Sequence, residues 1–327
     1  MKLIDFSDCK IDRHSDYGGS DRKNAIIYNG ERYMIKFSER QEPKNDYGTS
    51  NVNNVLSEYI GSHIFASVGI PVHETLLGTY NGELVVACRN FLSPGDTLHE
   101  FSWYLRNQYD SSDIKRTPIL EQIYKTISAD PDLTLIKKEA VARYWDTFVV
   151  DAIIGNFDRH SGNWGYIIDA SDNVKLAPVY DCGSCMFPGL SADAMGRVLD
   201  TAYGIARRIY EFPKAALLVE GKKVGYYDMM SSGYNADCER AVLRIAPKIN
   251  TDDLSKVISE TSILSGERKD FYIAMLKNRF RYIVERAYNR IKRNDYDEKA
   301  LARIGTDSFK DEAETLEEFE RAEKEMN

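Results

Sequence analysis

Asn-Gly stands at 29–30 and again at 81–82, each time between two apolar-rich runs. Asn-Gly is the strongest short-range hairpin signal, because both positions of the favoured two-residue turn need a positive φ. The spacing predicts Ala25–Tyr28 against Arg32–Phe37, and Leu76–Tyr80 against Glu83–Phe91. Between the pairs, Val55, Leu56, Tyr59, Ile60, His63, Ile64 and Val68 recur at helical spacing and predict a helix over 52–68. A hairpin, one helix and a second hairpin leave a small sheet with a single covering helix as the simplest way to bury these faces. The polar, aperiodic stretch 38–54 between them reads as a mobile loop.

Beyond residue 92 the pattern turns helical. The best helix runs over 135–154 and stops at Gly155, a plausible C-terminal cap. It delivers the chain into Asn156-Phe157-Asp158-Arg159-His160-Ser161-Gly162-Asn163. A short hairpin follows, Gly165–Ile168 with Lys175–Val179, and leads to Asp181-Cys182-Gly183. Helices are expected over 195–210, 237–246, 251–260 and 268–292. The acidic 311–327 carries Leu316, Phe319 and Ala322 at helical spacing and reads as a solvated terminal helix or a frayed tail. The expected division is a nucleotide-binding lobe at 1–92, a helical lobe at 93–300 and an acidic tail at 301–327. The fold class is α+β, with a small β-rich lobe and a mostly helical one.

An Asp, an Asn five positions on and a later Asp-x-Gly is the spacing that phosphoryl transfer uses. One carboxylate, Asp158, takes the proton of an attacking hydroxyl. Asn163 and Asp181 hold Mg²⁺ against the phosphates of ATP, and the glycine after Asp181 is expected to allow a sharp turn. Alone the Asp/Asn pair is weak, since a chain this size holds roughly one or two by chance. The upstream parts supply context in the right order: a Tyr17-Gly18-Gly19-Ser20 turn near the phosphates, Lys36 in the middle of an apolar strand, and Glu58 on the following helix. A Lys in such a strand is expensive unless paired or at a site. Tyr33, Ile35 and Phe37 share one face, so Lys36 points to the other. Backbone groups near Cys88–Asn90 are the expected contacts of the adenine. His160 either orients or relays protons beside the transferring phosphate, or packs and hydrogen-bonds the loop. His14, His63, His73 and His99 show no metal-ligand spacing and read as structural or surface residues.

Cys182-x-x-Cys185 has no second pair to complete a zinc site. The five cysteines, Cys9, Cys88, Cys182, Cys185 and Cys238, are too few and too scattered for a disulfide framework, which points to a reducing cytoplasm. The N-terminus lacks the apolar core of a signal peptide, and no apolar run approaches a membrane span, although signal-independent delivery to another cell stays open. A net charge of −8 argues against nucleic acid or a polybasic membrane anchor as partner.

Asn156-x-Asp158-Arg159-His160-x-x-Asn163, with Asp181 further on, resembles the HipA-like serine/threonine kinases of bacteria. Tyr17-Gly18-Gly19, Lys36, Leu77-Gly78-Thr79-Tyr80, Val85-Val86-Ala87-Cys88 and Asp181–Cys185 extend the resemblance over most of residues 1–290. It implies a two-lobed kinase-like fold, ATP with Mg²⁺, and transfer to Ser or Thr hydroxyls of a protein, often of the kinase itself. By position it makes Asp158 the base, Asn163 and Asp181 the metal ligands and Lys36 the phosphate ligand. Ser20 stands near the loop serine that some members autophosphorylate. Full-length HipA proteins carry an extra N-terminal subdomain that this chain is expected to lack, so an antitoxin partner and a DNA-bound assembly are not carried over. The oligomeric state is left open. Asp-Arg-His-x-x-Asn also resembles the catalytic loops of phosphoinositide kinases, so a lipid or small-alcohol acceptor is one alternative. A non-catalytic kinase-fold binding module is the other, though such modules usually lose a metal ligand or the Lys.

Overall fold

Six strands form the N-terminal sheet: β1 (Ile4–Asp5), β2 (Lys10–Ile11), β3 (Lys23–Tyr28), β4 (Glu31–Phe37), β5 (Thr75–Tyr80) and β6 (Glu83–Arg89). Their order is β1-β5-β6-β4-β3-β2. The computed structural model describes residues 3–12, 23–38, 53–306 and 311–326. Gly18, Gly19, Ser20 and nearly all of the expected mobile loop 38–54 lie outside the described residues.

Both Asn-Gly pairs turn as expected. Asn29 and Gly30 have φ of 49° and 83°, and Asn81 and Gly82 have 51° and 78°. Mirror-image turns of this kind match the twist of the strands they join. Strand alternation then divides the sheet into two faces. Tyr33, Ile35, Phe37, Val85 and Ala87 pack with Phe6 and Ile26 on one side. Leu77, Val86 and Cys88 pack on the other, against Val55, Ile60 and Ile64 of α1 (Asn54–Ser67). Lys36 is thereby turned toward α1.

The rest of the chain is mainly helical. β7 (Thr97–Glu100) leads into α2 (Phe101–Gln108), α3 (Leu120–Ala129), α4 (Pro131–Leu135) and α5 (Lys137–Ile154). β8 (Gly165–Ile168) and β9 (Val174–Leu176) pair beside β7 in the order β7-β8-β9. α6 (Ala192–Leu199), α7 (Ala202–Tyr210), β10 (Leu218–Val219), β11 (Lys222–Lys223), α8 (Tyr226–Ser231), α9 (Ala236–Ile245), α10 (Thr251–Glu260), α11 (Gly266–Arg279), α12 (Arg286–Arg293), α13 (Glu298–Arg303) and α14 (Glu312–Met326) follow.

Several boundaries differ from the sequence expectation for local reasons. The helix expected over 195–210 is two helices. Thr201 caps the second through its hydroxyl, which accepts from the Gly204 N–H at 2.9 Å. A Cβ on Gly204 would come within 2.6 Å of the Val198 carbonyl, so the two helices meet closely there. α5 starts at Lys137, later than the expected 135, because Asp130 and Pro131 open a separate short helix, α4, that takes Leu135. The single helix over 268–292 is interrupted by a π-helical stretch, Phe280–Glu285. Just before it Arg279, fully buried, donates to the Ala152 carbonyl at 2.7 Å near the end of α5. Burial pulls this guanidinium down to about 10, so it still carries its charge at neutral pH. A cation is favourable at a helix C-terminus.

The acidic C-terminus is not a solvated or frayed tail. α14 buries Thr315, Glu318, Phe319 and Ala322, and Phe319 sits 4.8 Å from the Tyr282 ring. Arg303 binds Glu314 at 3.0 Å and Glu318 at 3.1 Å, and Arg321 binds Asp297 at 3.2 Å. The charge pattern that reads as solvation is used for ion pairs with the neighbouring helices.

Candidate active site

Lys36 Nζ is the centre of the site. It lies 2.9 Å from Glu58 Oε2 and 3.1 Å from Asp181 Oδ1. β4 places the lysine, α1 the glutamate and the segment after β9 the aspartate. Burial alone would lower the lysine, but Asp181 and Glu58 hold it well above its ordinary range. Burial alone would likewise raise Glu58, yet Lys36 and His73 hold its carboxyl well below the usual carboxylate range. Glu58 Oε1 accepts from the Cys182 backbone N–H at 3.0 Å and sits 2.9 Å from His73 Nε2.

His73 is therefore part of the site, although its spacing gave no sign of it. It reaches Glu58 because the segment after α1 runs beside the strand that precedes Asp181. His73 N–H donates to the Val179 carbonyl at 2.9 Å, and Val179 N–H to the Pro71 carbonyl at 2.8 Å. These two bonds couple the sheet lobe to the Asp181 segment.

Asp181 has a φ of 59°, left-handed for a residue with a side chain. The sharp turn expected from Gly183 is made by Asp181 itself, and Gly183 is not among the positive-φ glycines. Past the turn the chain packs on α1. A Cβ on Gly61 would approach Cys182 Cβ to 2.7 Å and Cys185 Sγ to 3.0 Å, so the glycine is what lets helix and segment touch. Ser57 Oγ donates to the Cys185 carbonyl at 2.6 Å, and Cys185 Sγ donates to the Ser57 carbonyl at 3.2 Å. The CxxC pair is thus a packing element. Burial pushes the Cys182 thiol up to about 12, which makes it inert at neutral pH.

The Asn156–Asn163 loop is built on a buried ion pair. Arg159 Nε and Nη2 donate to Asp151 Oδ2 and Oδ1 at 2.9 and 3.1 Å. Asp151 sits in the last turn of α5 and also accepts from Asn156 Nδ2 at 3.0 Å. Arg159 Nη1 donates to the Asn163 carbonyl at 3.1 Å, to the Asp181 carbonyl at 3.2 Å and to the Tyr180 carbonyl. One guanidinium nitrogen therefore ties together the backbones of both candidate metal ligands. The fork of Arg matches this task, where the point charge of Lys would not.

Asp158 stands on the loop with its side chain 32% exposed, open enough to meet a second molecule. Asn163 Nδ2 donates to its carbonyl at 2.8 Å, an orientation that leaves the Asn163 side-chain oxygen as the atom to offer a cation. The Asp181 side chain is 39% exposed with Lys36 on one oxygen, so it too can take a cation. An Asn oxygen and a carboxylate are hard donors of the kind Mg²⁺ prefers. His160 Nδ1 accepts from the Gly162 N–H at 3.0 Å, and its Nε2 is 3.9 Å from Asp158 Oδ2. Burial lowers His160 despite the nearby Asp158, which fits a neutral ring.

Two cations that the sequence did not single out face Asp158. Arg116 Nη2 binds Asp158 Oδ2 at 2.8 Å, and Lys223 of β11 acts on it through its charge. Loop and strand are brought together by the Pro118 carbonyl, which accepts from the Leu218 N–H at 2.9 Å. Burial raises the Asp158 carboxyl, against the pull of His160 and Arg116.

Cys88 and Asn90 are placed less simply. Cys88 pairs with Met34 on one side and Thr75 on the other, inside the sheet. Asn90 N–H donates to the Arg32 carbonyl at 2.9 Å. That donor is already engaged within the lobe and is not offered to a nucleotide base. The Cys88 thiol instead groups with Glu58 and His73 behind Lys36.

Residues 15–224 match the HipA-like C-terminal domain family, and the chain belongs to it. Its kinase-like, two-part fold is that of this family. The chain is 36% identical over 301 residues to the serine/threonine-protein kinase CtkA of Helicobacter pylori strain J99, covering 89% of each. The crystal structure of the Helicobacter pylori proinflammatory kinase CtkA superposes with a TM-score of 0.83 at 32% identity, over 90% of this chain and 100% of that one. HipA of Shewanella oneidensis MR-1, solved with HipB and operator DNA, matches in fold with a TM-score of 0.54 at 14% identity, over 84% of this chain and 67% of that one. Among the described residues no helix is long and apolar enough to cross a membrane.

The Lys36–Glu58 pair sets a pH expectation. Glu58 ordinarily titrates near 4.5 and its folded value is lower. Its contribution to stability is therefore complete above about pH 4.5 and is lost as pH falls through the folded value. Denaturant unfolding of the wild type and Glu58→Gln should differ most near neutrality, with the gap closing in acid. A gap that widens in acid would contradict the ion pair.

Proposed function

We infer that this chain transfers the γ-phosphoryl group of ATP to a Ser or Thr hydroxyl of a protein, itself included. The protein is a serine/threonine protein kinase, as its relationship to CtkA supports, and that relationship favours a protein acceptor over the lipid alternative. The observation that carries the residue roles is the double tie at Asp181. Lys36 holds its side chain beside Glu58, and Arg159 holds its backbone beside that of Asn163.

In this reading Lys36 keeps its charge for the phosphates of ATP, and Glu58 with His73 fixes its direction. Asn163 and Asp181 would hold Mg²⁺, which would supply positive charge to offset that of the phosphates. Asp158 accepts the proton of the acceptor hydroxyl as its oxygen bonds to the γ-phosphorus, and the bond to the bridging oxygen breaks to release ADP. His160, bonded to Gly162, positions the loop rather than the proton. The five free cysteines support a reducing, cytoplasmic compartment. Transfer of ³²P from ATP should require Mg²⁺ and vanish in Asp181→Ala; full transfer by that variant would overturn the metal assignment.

The cation on Asp158 gives a second test. Arg116 lowers the Asp158 pKa, so its removal raises it further. The acid limb of kcat/KM in Arg116→Gln should lie at higher pH than in the wild type. An unmoved limb would separate Arg116 from the base, or Asp158 from the reaction.

A further inference from the structure

Behind the Asn156–Asn163 loop lies a partly enclosed cavity between α5, β8, the Leu176–Val179 segment and Ala215–Leu217. Its volume is ≈ 40 Å³ for the centres of water-sized spheres. About 10–15 Å³ on this measure holds one water, so the space takes roughly three waters or one small ring. Asp151, Arg159 and Asn163 line it, whereas Lys36, Glu58, Asp158 and Asp181 do not. It is separate from the Lys36–Asp181 cluster, with Asn163 bordering both the cavity and the candidate metal site.

The wall is largely apolar, with Tyr144, Pro178 and Ala216 among its residues. Two nitrogens on lining residues are buried without a hydrogen-bond partner among the described residues: Trp164 Nε1 and Arg143 Nη1. Native structures rarely leave such donors unpaired, and each one asks for an acceptor. The Trp164 ring is fixed, stacked on Phe101 at 4.1 Å and 16° and lying 5.2 Å from Tyr144. Asp146, three residues along α5 from Arg143, is held by Arg244 at 2.6 Å. Burial disfavours the Arg143 charge, and Asp146 offsets this only in part. An apolar space lined by two residues that each carry an unmet donor, one of them cationic, fits a ligand with an apolar body and an anionic end.

We propose that this cavity is a second binding site, for a small aromatic or branched-chain carboxylate whose oxygens accept from Arg143 Nη1 and Trp164 Nε1. The body of the ligand fills the space beside Tyr144 and Ala216. The site goes beyond phosphoryl transfer and does not depend on it.

Benzoate is the probe, with benzamide as its uncharged counterpart. Binding to the full chain is followed by saturation-transfer NMR and by thermal shift, with and without a saturating non-hydrolysable ATP analogue and Mg²⁺. Benzoate should bind saturably in the millimolar range or tighter and persist beside the nucleotide analogue. Arg143→Gln should weaken benzoate by about tenfold, the size of one charge-assisted hydrogen bond, and change benzamide little. Ala216→Leu, which fills the space, should abolish both. Displacement of benzoate by the nucleotide analogue, equal benzoate affinity in wild type and Arg143→Gln, or no saturable binding by the wild type would each overturn the proposal. Where Ala216→Leu does not fold, Arg143→Gln and the competition experiment decide. No outcome is read from catalysis, so failure of this site and failure of the kinase reading are distinguishable.

Discussion

Asp158→Asn lowers Mg²⁺·ATP-dependent phosphoryl transfer by about 10²–10⁴-fold, the usual range for removing a positioned general base. The substitution keeps the shape of the side chain and removes its capacity to take a proton. The loop should survive it, because its order comes from other groups. Asn163 Nδ2 bonds the Asp158 backbone carbonyl, and Asn156 Oδ1 accepts from the Asp158 backbone N–H at 3.1 Å. Neither bond uses the Asp158 side chain. Nucleotide affinity, measured by calorimetry with a non-hydrolysable analogue, should therefore stay close to that of the wild type while kcat collapses. A variant that loses both together would show that the carboxylate organises the nucleotide cleft. One that keeps kcat would remove Asp158 from the base role.

The largest expected loss of stability is at the pair beneath that loop. Asp151 and Arg159 are 1% and 6% exposed. Arg159→Met leaves the Asp151 carboxylate buried with only Asn156 as a side-chain partner. Removing one member of a buried pair costs about 3–5 kcal/mol, which corresponds to a fall in Tm on the order of 10 °C. The double variant Asp151→Leu/Arg159→Met removes the uncompensated charge as well as the pair. It should be more stable than Arg159→Met alone, as expected when both charges of a buried pair are replaced by apolar groups. It should nevertheless be inactive, since the Asn163, Tyr180 and Asp181 carbonyls have lost their common donor. Thermal melts and transfer assays on the wild type and the two variants test both halves. A single variant as stable as the wild type, or an active double variant, would contradict the role assigned to the clamp.

How much of this could be read beforehand follows from the range of the interactions. The two hairpins of the sheet were legible because Asn29-Gly30 and Asn81-Gly82 act within four residues and fix both turn and register, whereas β1 and β2, two residues each, left no pattern. Lys36 was legible because a cation in an apolar strand has few physical reasons to be there. The identity of its partners was legible only by order along the chain, and the structure brings Glu58 and Asp181 to it. His73, Arg116 and Lys223 were not legible. Each reaches the site by a backbone connection between distant segments, such as Pro71–His73 with Val179, that leaves no periodicity. Arg159 stood in the motif, but its buried partner Asp151 sits inside an apolar helix with nothing beside it in sequence to mark the pairing. A buried Asp eight residues before a motif Arg was the available signal. The acidic C-terminus misled because charge at helical spacing describes an exposed helix and an ion-paired one equally well.

Gly61 sets how closely α1 can approach the Asp181 segment. The helix bearing Glu58 rests on Cys182 and Cys185 with no side chain between them, at separations that one added methyl group would violate. A contact of that kind seats the helix directly on the segment while Glu58 rests on Lys36. The seat is further held by reciprocal bonds between Ser57 and Cys185. A side chain at residue 61 would part the helix from the Asp181 segment, so the seating of Glu58 on Lys36 depends on the absence of a side chain one turn further along α1.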